Sequence, residues 1–202
     1  MGISPPEAPR LEDELVVEDA TAVELPLGDG GVTGARLVDA DLGGARLRGL
    51  RLSDVAVERG NLANVVAPEL SLRRVAISGA RLTGAQWTDG KITDALFAGC
   101  RIDLATFAGT TFERTAFEDC RLTQADFQEA LLRSVRFERC DLTEADLTRL
   151  RIDRCELRGC TLDGVTGLER LRGAAMPWGD ILGNAGLMAA ALGIRVLEDG
   201  DP

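Results

Sequence analysis

The sequence predicts an all-β solenoid, and three observations carry this prediction. A bulky apolar residue recurs at every fifth position from Val32 to Leu162. The residue two places before each of these sites is usually small, and the other three positions of each unit are mostly polar. A period of five fits neither the 3.6-residue repeat of a helix nor the two-residue repeat of a strand. Two inward residues separated by one outward residue describe a short extended segment, so the remaining two residues must turn the chain.

The fivefold register runs without a break for 131 residues and contains 27 sites, of which only Ala67 is small. It therefore leaves no room for an inserted loop between residues 32 and 162. Because every unit sends one large side chain to the centre, we expect a filled interior that is stabilised by coil stacked on coil. Pro68 cannot donate a backbone hydrogen bond, so we expect a local bulge near residues 66–69 without loss of register.

Several units resemble the A(D/N)LXX motif of the pentapeptide-repeat family: ADLGG at 40–44, ADFQE at 125–129 and ADLTR at 145–149. The resemblance implies a right-handed quadrilateral β-helix in which four units complete one square coil. Residues that are one coil apart should then stack, and the rod should be about 32 Å long at about 4.8 Å per coil. Two interior aromatic columns are expected, one of Phe97, Phe117 and Phe137 and one of Trp87, Phe107 and Phe127.

The two ends of the chain depart from the repeat. We expect a disordered acidic tail over residues 1–14, a degenerate first coil or N-terminal cap over 15–31, the β-helix over 32–164 and a C-terminal cap over 165–202. Within the C-terminal cap, Pro177 suits the first turn of a capping α-helix near 177–192. One face of that helix consists of Ile181, Ala185, Met188 and Leu192. This face either packs on the last coil or forms a homodimer contact, as the resemblance to gyrase-protecting relatives implies.

The composition argues against an enzyme. The chain contains no His and no Tyr, which removes the commonest general base and the commonest neutral metal ligand. All five cysteines lie at the small inward position, and four of them follow one another in a line at one-coil intervals. Because a tetrahedral site needs convergent ligands, we expect no metal and no cofactor. No leader segment and no apolar run of membrane-spanning length is visible, so we expect a cytoplasmic protein that does not enter a membrane.

The charge is unevenly distributed along the chain. Thirty-three acidic against 23 basic residues give a net charge of −10, which argues against direct binding of nucleic acid. Residues 1–30 hold eight acids and one arginine, a net charge of −7. Among the four expected faces of the repeat, the face centred on Leu52, Leu72 and Ile92 carries +4, and the other three carry −1, −2 and −2. No face of the repeat is therefore strongly anionic, although the net charge of the chain is acidic.

Two candidate binding surfaces follow. Some pentapeptide-repeat proteins bind DNA gyrase or topoisomerase IV as acidic mimics of the DNA duplex, so the resemblance implies a protein partner, with a type II topoisomerase as the specific hypothesis. The alternative is a scaffold with an unrelated protein partner. The column of Arg81, Arg101 and Arg121 is a candidate anion site unless Asp103 or Asp141 neutralises it. The candidate partner-binding residues lie on two adjacent faces of the later coils: Asp126, Glu129, Asp141, Glu144, Asp146 and Asp163.

Overall fold

The structure, a computed structural model, describes residues 2–11, 15–18, 21 and 31–195. Within this part of the chain, eight parallel strands pair in sequence order to form one sheet. The strands are β1 Leu15–Glu18, β2 Val32–Val38, β3 Arg51–Glu58, β4 Ser71–Ser78, β5 Lys91–Ala98, β6 Thr111–Glu118, β7 Leu131–Glu138 and β8 Arg151–Arg158.

Each coil of the rod has four sides. One strand supplies two consecutive sides, and its residues, apart from the corner residue, pair with the residues 20 positions later, as Phe97 does with Phe117. From β2 onward, the twelve residues between consecutive strands supply the other two sides, which pair between coils through isolated bridges such as Arg81 to Arg101 and Asp126 to Asp146. The predicted right-handed quadrilateral β-helix is confirmed.

The interior contains the predicted aromatic columns. The ring centroids of Phe97 and Phe117 lie 4.8 Å apart and those of Phe117 and Phe137 lie 5.0 Å apart, with interplanar angles of 9° and 5°. In the second column, the ring of Phe107 stacks on that of Phe127 at 5.2 Å and meets Trp87 edge-on at 6.1 Å. These distances match the spacing between coils, so the aromatic rings fill the interior without gaps between layers.

The corners of the square share one backbone conformation. Two residues after each inward bulky site, at all 27 positions from 34 to 164, φ is positive, between 49° and 71°. Nine of these corner residues are Gly, and the other 18 carry side chains. None of them is Val, Ile, Thr, Pro or aromatic. Because β-branched and bulky residues are strained in the left-handed region, the corner position excludes them.

On the two sides outside the strands, the N–H of the residue directly after each bulky site makes no backbone bond to a neighbouring coil among the described residues. In several units a side chain two positions earlier accepts this N–H instead, as Asp126 Oδ1 does from Gln128 at 2.8 Å. Pro68 occupies this position, and the N–H groups of Val66, Ala67 and Glu69 around it all keep inter-coil bonds of 2.8 Å. The bulge expected near residues 66–69 is therefore wrong, because a proline here removes no ladder bond.

The C-terminal region covers the last coil with three short helices in the described residues. These are a 3₁₀ helix, Leu168–Leu171, then α1, Trp178–Gly183, and α2, Ala185–Ala191. The single helix expected near 177–192 is thus divided at Asn184, whose side-chain Nδ2 donates to the carbonyl of Asp180 at 2.8 Å. Asp180 Oδ2 also accepts the N–H of Gly159 at 2.6 Å, which fixes α1 to the last coil. Neither helix has the length and apolar character of a membrane span, within the residues searched.

The N-terminal residues take a path along the outside of the rod. A disordered tail was expected over 1–14, but residues 2–11 follow an extended path with backbone hydrogen bonds to β8 and β3. Residues 1 and 12–14 of that expected tail lie outside the described residues. So do residues 19–20 and 22–30 of the expected first coil, and residues 196–202 of the expected C-terminal cap.

Candidate binding surfaces

The six predicted partner-binding residues lie on two adjacent sides of the last coils. We call Asp126, Glu129, Asp141, Glu144, Asp146 and Asp163 the acidic patch. Asp126 and Asp146 are bridge partners on neighbouring coils, and the Glu144 N–H donates to the Asp163 carbonyl at 2.7 Å. The structure therefore brings the predicted residues onto one continuous surface. The three outer aspartates of the motif, Asp126, Asp141 and Asp146, are half-buried, whereas Glu129, Glu144 and Asp163 are exposed.

The three half-buried aspartates have structural partners. Each caps the N–H two residues later, as Asp141 does with Thr143 at 3.0 Å and Asp146 with Thr148 at 2.8 Å. Hydrogen bonds from the Thr143 side chain and backbone lower the pKa of Asp141. Partial burial opposes the shift at Asp146, but bonds from Thr148 and Gln128 outweigh it and lower the pKa of that carboxyl as well. Asp141 and Asp146 are therefore ionised at neutral pH, and all three aspartates hold the turns in place.

The three exposed acids of the patch differ in their neighbours. Glu129 forms an ion pair with Arg149, one coil further, at 2.6 Å. Glu144 accepts a hydrogen bond from the side chain of Gln124 at 2.5 Å. Asp163 lies on the last coil and is exposed. Glu144 and Asp163 therefore carry charge that no arginine of the described residues neutralises through an ion pair.

The arginine column is only partly neutralised. Arg121 donates two hydrogen bonds of 2.5 Å to the buried Asp103, so this residue is committed to the coil before it. Arg81 and Arg101 are exposed and make no ion pair with the described residues. The column predicted from the sequence thus presents two free guanidinium groups and one paired one.

A further charged surface lies at the corner within the strands. Asp54, Arg74, Asp94 and Arg114 form a column that we call the charged corner. Arg74 donates from Nε and Nη2 to both carboxylate oxygens of Asp54, and Arg114 does the same to Asp94 at 2.7 and 2.8 Å. Asp54, Arg74 and Asp94 are only 6–8% exposed. Such burial is unusual for charges on the outside of a rod, and residues 2–11 cover them.

Hydrogen bonding perturbs the acids of the charged corner. The Arg74 guanidinium lowers the pKa of Asp54, although burial opposes it, and the backbone N–H of Arg10 adds to the effect. The Arg114 guanidinium lowers the pKa of Asp94 in the same way, with help from the backbone N–H of Glu7. Both carboxylates are therefore charged at neutral pH and available as acceptors for the N-terminal segment.

The cysteines form an interior ladder. The thiols of Cys100, Cys120, Cys140 and Cys160 lie within 3.3–3.5 Å of backbone carbonyls, and all five cysteines are buried and reduced. Burial raises the pKa of Cys155 to about 12, so it is a neutral thiol at physiological pH. In the part of the chain that the structure describes, no group of three or more His, Cys, Asp or Glu residues is arranged to hold a metal.

The C-terminal cap exposes apolar surface. Of the four predicted face residues, Ile181 and Met188 are half-buried, and Ala185 and Leu192 are exposed. Ile181, Met188 and Leu192 line one cavity of about 550 Å³ together with Leu168 and Leu171, whereas Ala185 does not. The division of the helix at Asn184 places Ile181 on α1, and Ala185 and Met188 on α2, with Leu192 at the C-terminal end of α2. Three further side chains, of Trp178, Leu182 and Ile194, point apolar surface outward, and together with Leu192 they are 57–73% exposed.

Comparison with known proteins agrees with the repeat. Residues 90–166 match the family model described as pentapeptide repeat region. No curated protein sequence matches the chain. A similar solved structure is HetL, a pentapeptide repeat protein involved in heterocyst differentiation regulation in the cyanobacterium Nostoc sp. strain PCC 7120. It is 18% identical, covers 84% of this chain and 93% of its own, and has a TM-score of 0.48.

Two further solved structures are similar at a comparable level. QnrB1, a plasmid-mediated fluoroquinolone resistance protein, is 16% identical over 92% of this chain and 97% of its own, with a TM-score of 0.46. Rfr23, a pentapeptide repeat protein from the cyanobacterium Cyanothece 51142, is 15% identical over 71% of this chain and 88% of its own, with a TM-score of 0.33.

Proposed function

Because the chain is a pentapeptide-repeat protein, we propose that it acts by binding another macromolecule through its outer surface and not by catalysis. The interior of the rod is occupied by packed side chains over most of its length, so the surfaces of the coils are the places where a partner can make contact. The acidic patch on the last coils is the observation that carries this proposal. It groups six carboxylates, with Arg121 and Arg149 as the cations that share its two sides.

The specific form of the proposal is a mimic of the DNA duplex that binds a type II topoisomerase. Asp126 and Asp146 are bridge partners, so their backbones lie about 4.8 Å apart along the rod. Phosphates follow each other at about 3.4 Å along one strand of B-DNA, a spacing of the same order. A partner whose basic groove receives DNA would therefore meet a row of negative charge on a rigid rod. Nucleic acid itself is not the expected ligand.

A scaffold with an unrelated protein partner is the second candidate, and one observation favours it. Asp126, Asp141 and Asp146 each cap a turn of their own unit, so half of the acidic patch has a structural reason to be acidic. A duplex mimic would then rely on Glu129, Glu144 and Asp163. Of these, Glu129 is already paired with Arg149.

We also propose that the C-terminal cap forms a homodimer contact. The exposed side chains of Trp178, Leu182, Leu192 and Ile194 lie beside the apolar cavity of the cap. Clustered apolar exposure of this kind is typical of an interaction surface. Sedimentation of the full chain, with Leu192→Glu as the variant, tests this contact: the wild type is expected to sediment as a dimer and the variant as a monomer.

A supercoiling assay with purified DNA gyrase tests the topoisomerase hypothesis. The double variant Glu144→Gln and Asp163→Asn removes two exposed charges without disturbing a turn cap. Glu69→Gln is the matched control, because Glu69 is an exposed acid paired with Arg48 on an early coil. The wild type and the control are expected to inhibit supercoiling at micromolar concentration or to protect gyrase from a fluoroquinolone, and the double variant is expected to lose most of this effect. Failure of the wild type in both readouts rejects the hypothesis and leaves the scaffold.

A further inference from the structure

The segment of residues 2–11 occupies a defined groove on the rod. The charged corner under it is almost inaccessible, with Asp54 and Arg74 each 8% exposed. The same kind of pair at an uncovered corner, Asp119 with Arg139, has side chains that are 57% and 53% exposed. The difference shows that the N-terminal segment covers the charged corner. This corner lies between the two strand sides of the coil, away from the two sides that carry the acidic patch.

Backbone N–H groups near the two ends of the segment bond to carboxylates of two separate coils. The N–H of Arg10 donates to Asp54 Oδ1 at 3.1 Å, and the N–H of Ile3 donates to Glu156 Oε1 at 3.0 Å. Between them, the backbone N–H of Glu7 contributes to the lowered pKa of Asp94. The segment therefore runs antiparallel to the direction in which the coils are added. Backbone groups make these bonds, so the groove recognises an extended main chain and not one particular side chain.

The spacing of these acceptors matches a polyproline-II helix. Such a helix rises about 3.1 Å per residue, so the seven steps from Ile3 to Arg10 cover about 22 Å. Their acceptors, Glu156 and Asp54, are about five coils apart, which is about 24 Å. Seven peptide residues thus span about five coils. Pro5, Pro6 and Pro9 fix the backbone torsion that this conformation requires.

The burial pattern of the segment has the same period. Ile3, Pro6 and Pro9 are half-buried, and the residues between them are exposed. A polyproline-II helix has three residues per turn, so these side chains share one face. The rod offers an apolar column beside the charged corner at which such a face can pack, where Ala56 and Ala116 are buried although they point outward from their coils. The column consists of Ala56, Ala76, Leu96 and Ala116.

We propose that the charged corner and this apolar column form a docking groove for a polyproline-II segment of a partner protein, and that residues 2–11 occupy it in the partner's absence. The groove continues past Ile3 as a depression of about 560 Å³, lined by Arg114, Ser134 and Arg154 among others. The carboxylates accept backbone N–H groups, and the apolar column receives Pro or an aliphatic residue at every third position. The ligand class is an extended proline-containing segment with a free N–H at the intervening positions.

The resident segment competes with any partner because it is tied to the same chain. A short flexible tether gives an effective concentration on the order of millimolar, so a free peptide binds the wild type weakly. Weakening the resident segment should release the groove. Pro5→Gly, Pro6→Gly and Pro9→Gly together remove the preset backbone torsion and leave all described coil residues unchanged.

Amide hydrogen exchange on the full-length wild type tests whether the groove is occupied. The N–H groups of Ile3 and Arg10 are expected to exchange at least about tenfold more slowly than those of Ser4 and Ala8 in the same segment, since the former two donate to the rod. In the triple-glycine variant, this difference should disappear. Equal exchange at all four positions in the wild type overturns the proposal.

Binding of a labelled peptide with the sequence GISPPEAPRL tests whether the groove accepts a segment from another molecule. The triple-glycine variant is expected to bind this peptide about tenfold more tightly than the wild type. Adding Asp54→Asn should cost about tenfold, because the charged acceptor of the Arg10 N–H is lost. Adding Asp119→Asn instead is the matched control, because Asp119 has the same bidentate arginine but no segment over it. Equal affinity of the two carboxylate variants contradicts the proposal. So does a released variant that binds duplex DNA on its freed arginines and not the peptide.

Discussion

The first and second halves of the rod have the same backbone but different interiors. In the second half, the Phe rings stack on each other at 4.8–5.2 Å between coils, and Phe97, Phe107, Phe112 and Phe117 are fully buried. In the first half, the same positions are aliphatic and enclose a cavity of about 20 Å³. Its lining includes Leu37, Leu42, Leu47, Leu52, Val57, Leu62, Leu72, Ile77 and Trp87.

The difference arises because the square has a fixed size. Every coil has four five-residue sides, so its cross-section does not shrink when smaller side chains point inward. Phenylalanine rings stack at about the spacing of the coils and fill this cross-section, whereas branched aliphatic side chains do not. Trp87 lies between the aliphatic and the aromatic parts of the interior, and its buried indole Nε1 bonds to none of the described residues. The repeat thus sets the backbone, and the choice of inward residue sets the packing.

The largest expected effect comes from removing a ring in the filled half. Phe117 lies between Phe97 and Phe137, and Phe117→Ala should lower the free energy of unfolding by about 4 kcal/mol, since the rigid stack cannot collapse into the space. Leu62→Ala, beside the existing cavity, should cost about 2 kcal/mol. Urea denaturation followed by circular dichroism measures both. Equal losses would show that the two interiors are equally well packed.

A smaller effect is expected from adding volume. Ile77 lines the cavity and pairs with Phe97, so Ile77→Phe extends the ring column into available space and should change the free energy of unfolding by less than about 1 kcal/mol. Ile92→Phe places the same ring in the filled half and should destabilise the rod by about 1–3 kcal/mol through overpacking. The same denaturation measurement compares the two variants. If Ile77→Phe lowers the free energy of unfolding as much as Ile92→Phe does, the proposed difference in packing between the two halves is contradicted.

The smallest effect concerns surface pairs, which should not distinguish the halves. Each half of the rod has an exposed ion pair of the same kind: Asp39 with Arg59 in the first half and Asp119 with Arg139 in the second. Hydrogen bonds from the arginines lower the pKa of both aspartates. A carboxylate with a lowered pKa stabilises the fold above its unfolded pKa of about 3.9 and loses this contribution as the pH falls through its folded pKa.

The urea midpoint of the wild type should therefore stay level between about pH 7 and 5 and fall below about pH 4. Asp39→Asn and Asp119→Asn should each make that fall slightly shallower, and by the same amount. A clearly larger change for one of them would show that the packing of the interior affects the surface pairs. Asp54 and Asp94 are unsuited to this comparison, since residues 2–11 cover them.

Much of the fold was predictable because the repeat is local and regular. The coil, the inward columns and the stacking of Phe97, Phe117 and Phe137 follow from the register. The residue types at the corners were also visible in the sequence, since no Val, Ile, Thr, Pro or aromatic residue occurs at any of the 27 corners. Only the positive φ values of the structure explain why these residues are absent there. The bulge expected at Pro68 was wrong because the pattern alone did not reveal which N–H groups the ladder uses. The position of the acidic patch was predictable, whereas the turn caps within it required the hydrogen bonds.

The sequence by itself determined the solenoid, because each five-residue unit repeats the same inward and outward choice and meets an almost identical unit one coil later. Only the tertiary structure decided where residues 2–11 lie, how the cap divides at Asn184 and which half of the interior contains a cavity. These features depend on contacts between segments far apart in the chain, such as Ile3 with Glu156. A periodic pattern carries no information about such contacts, since each of them occurs once.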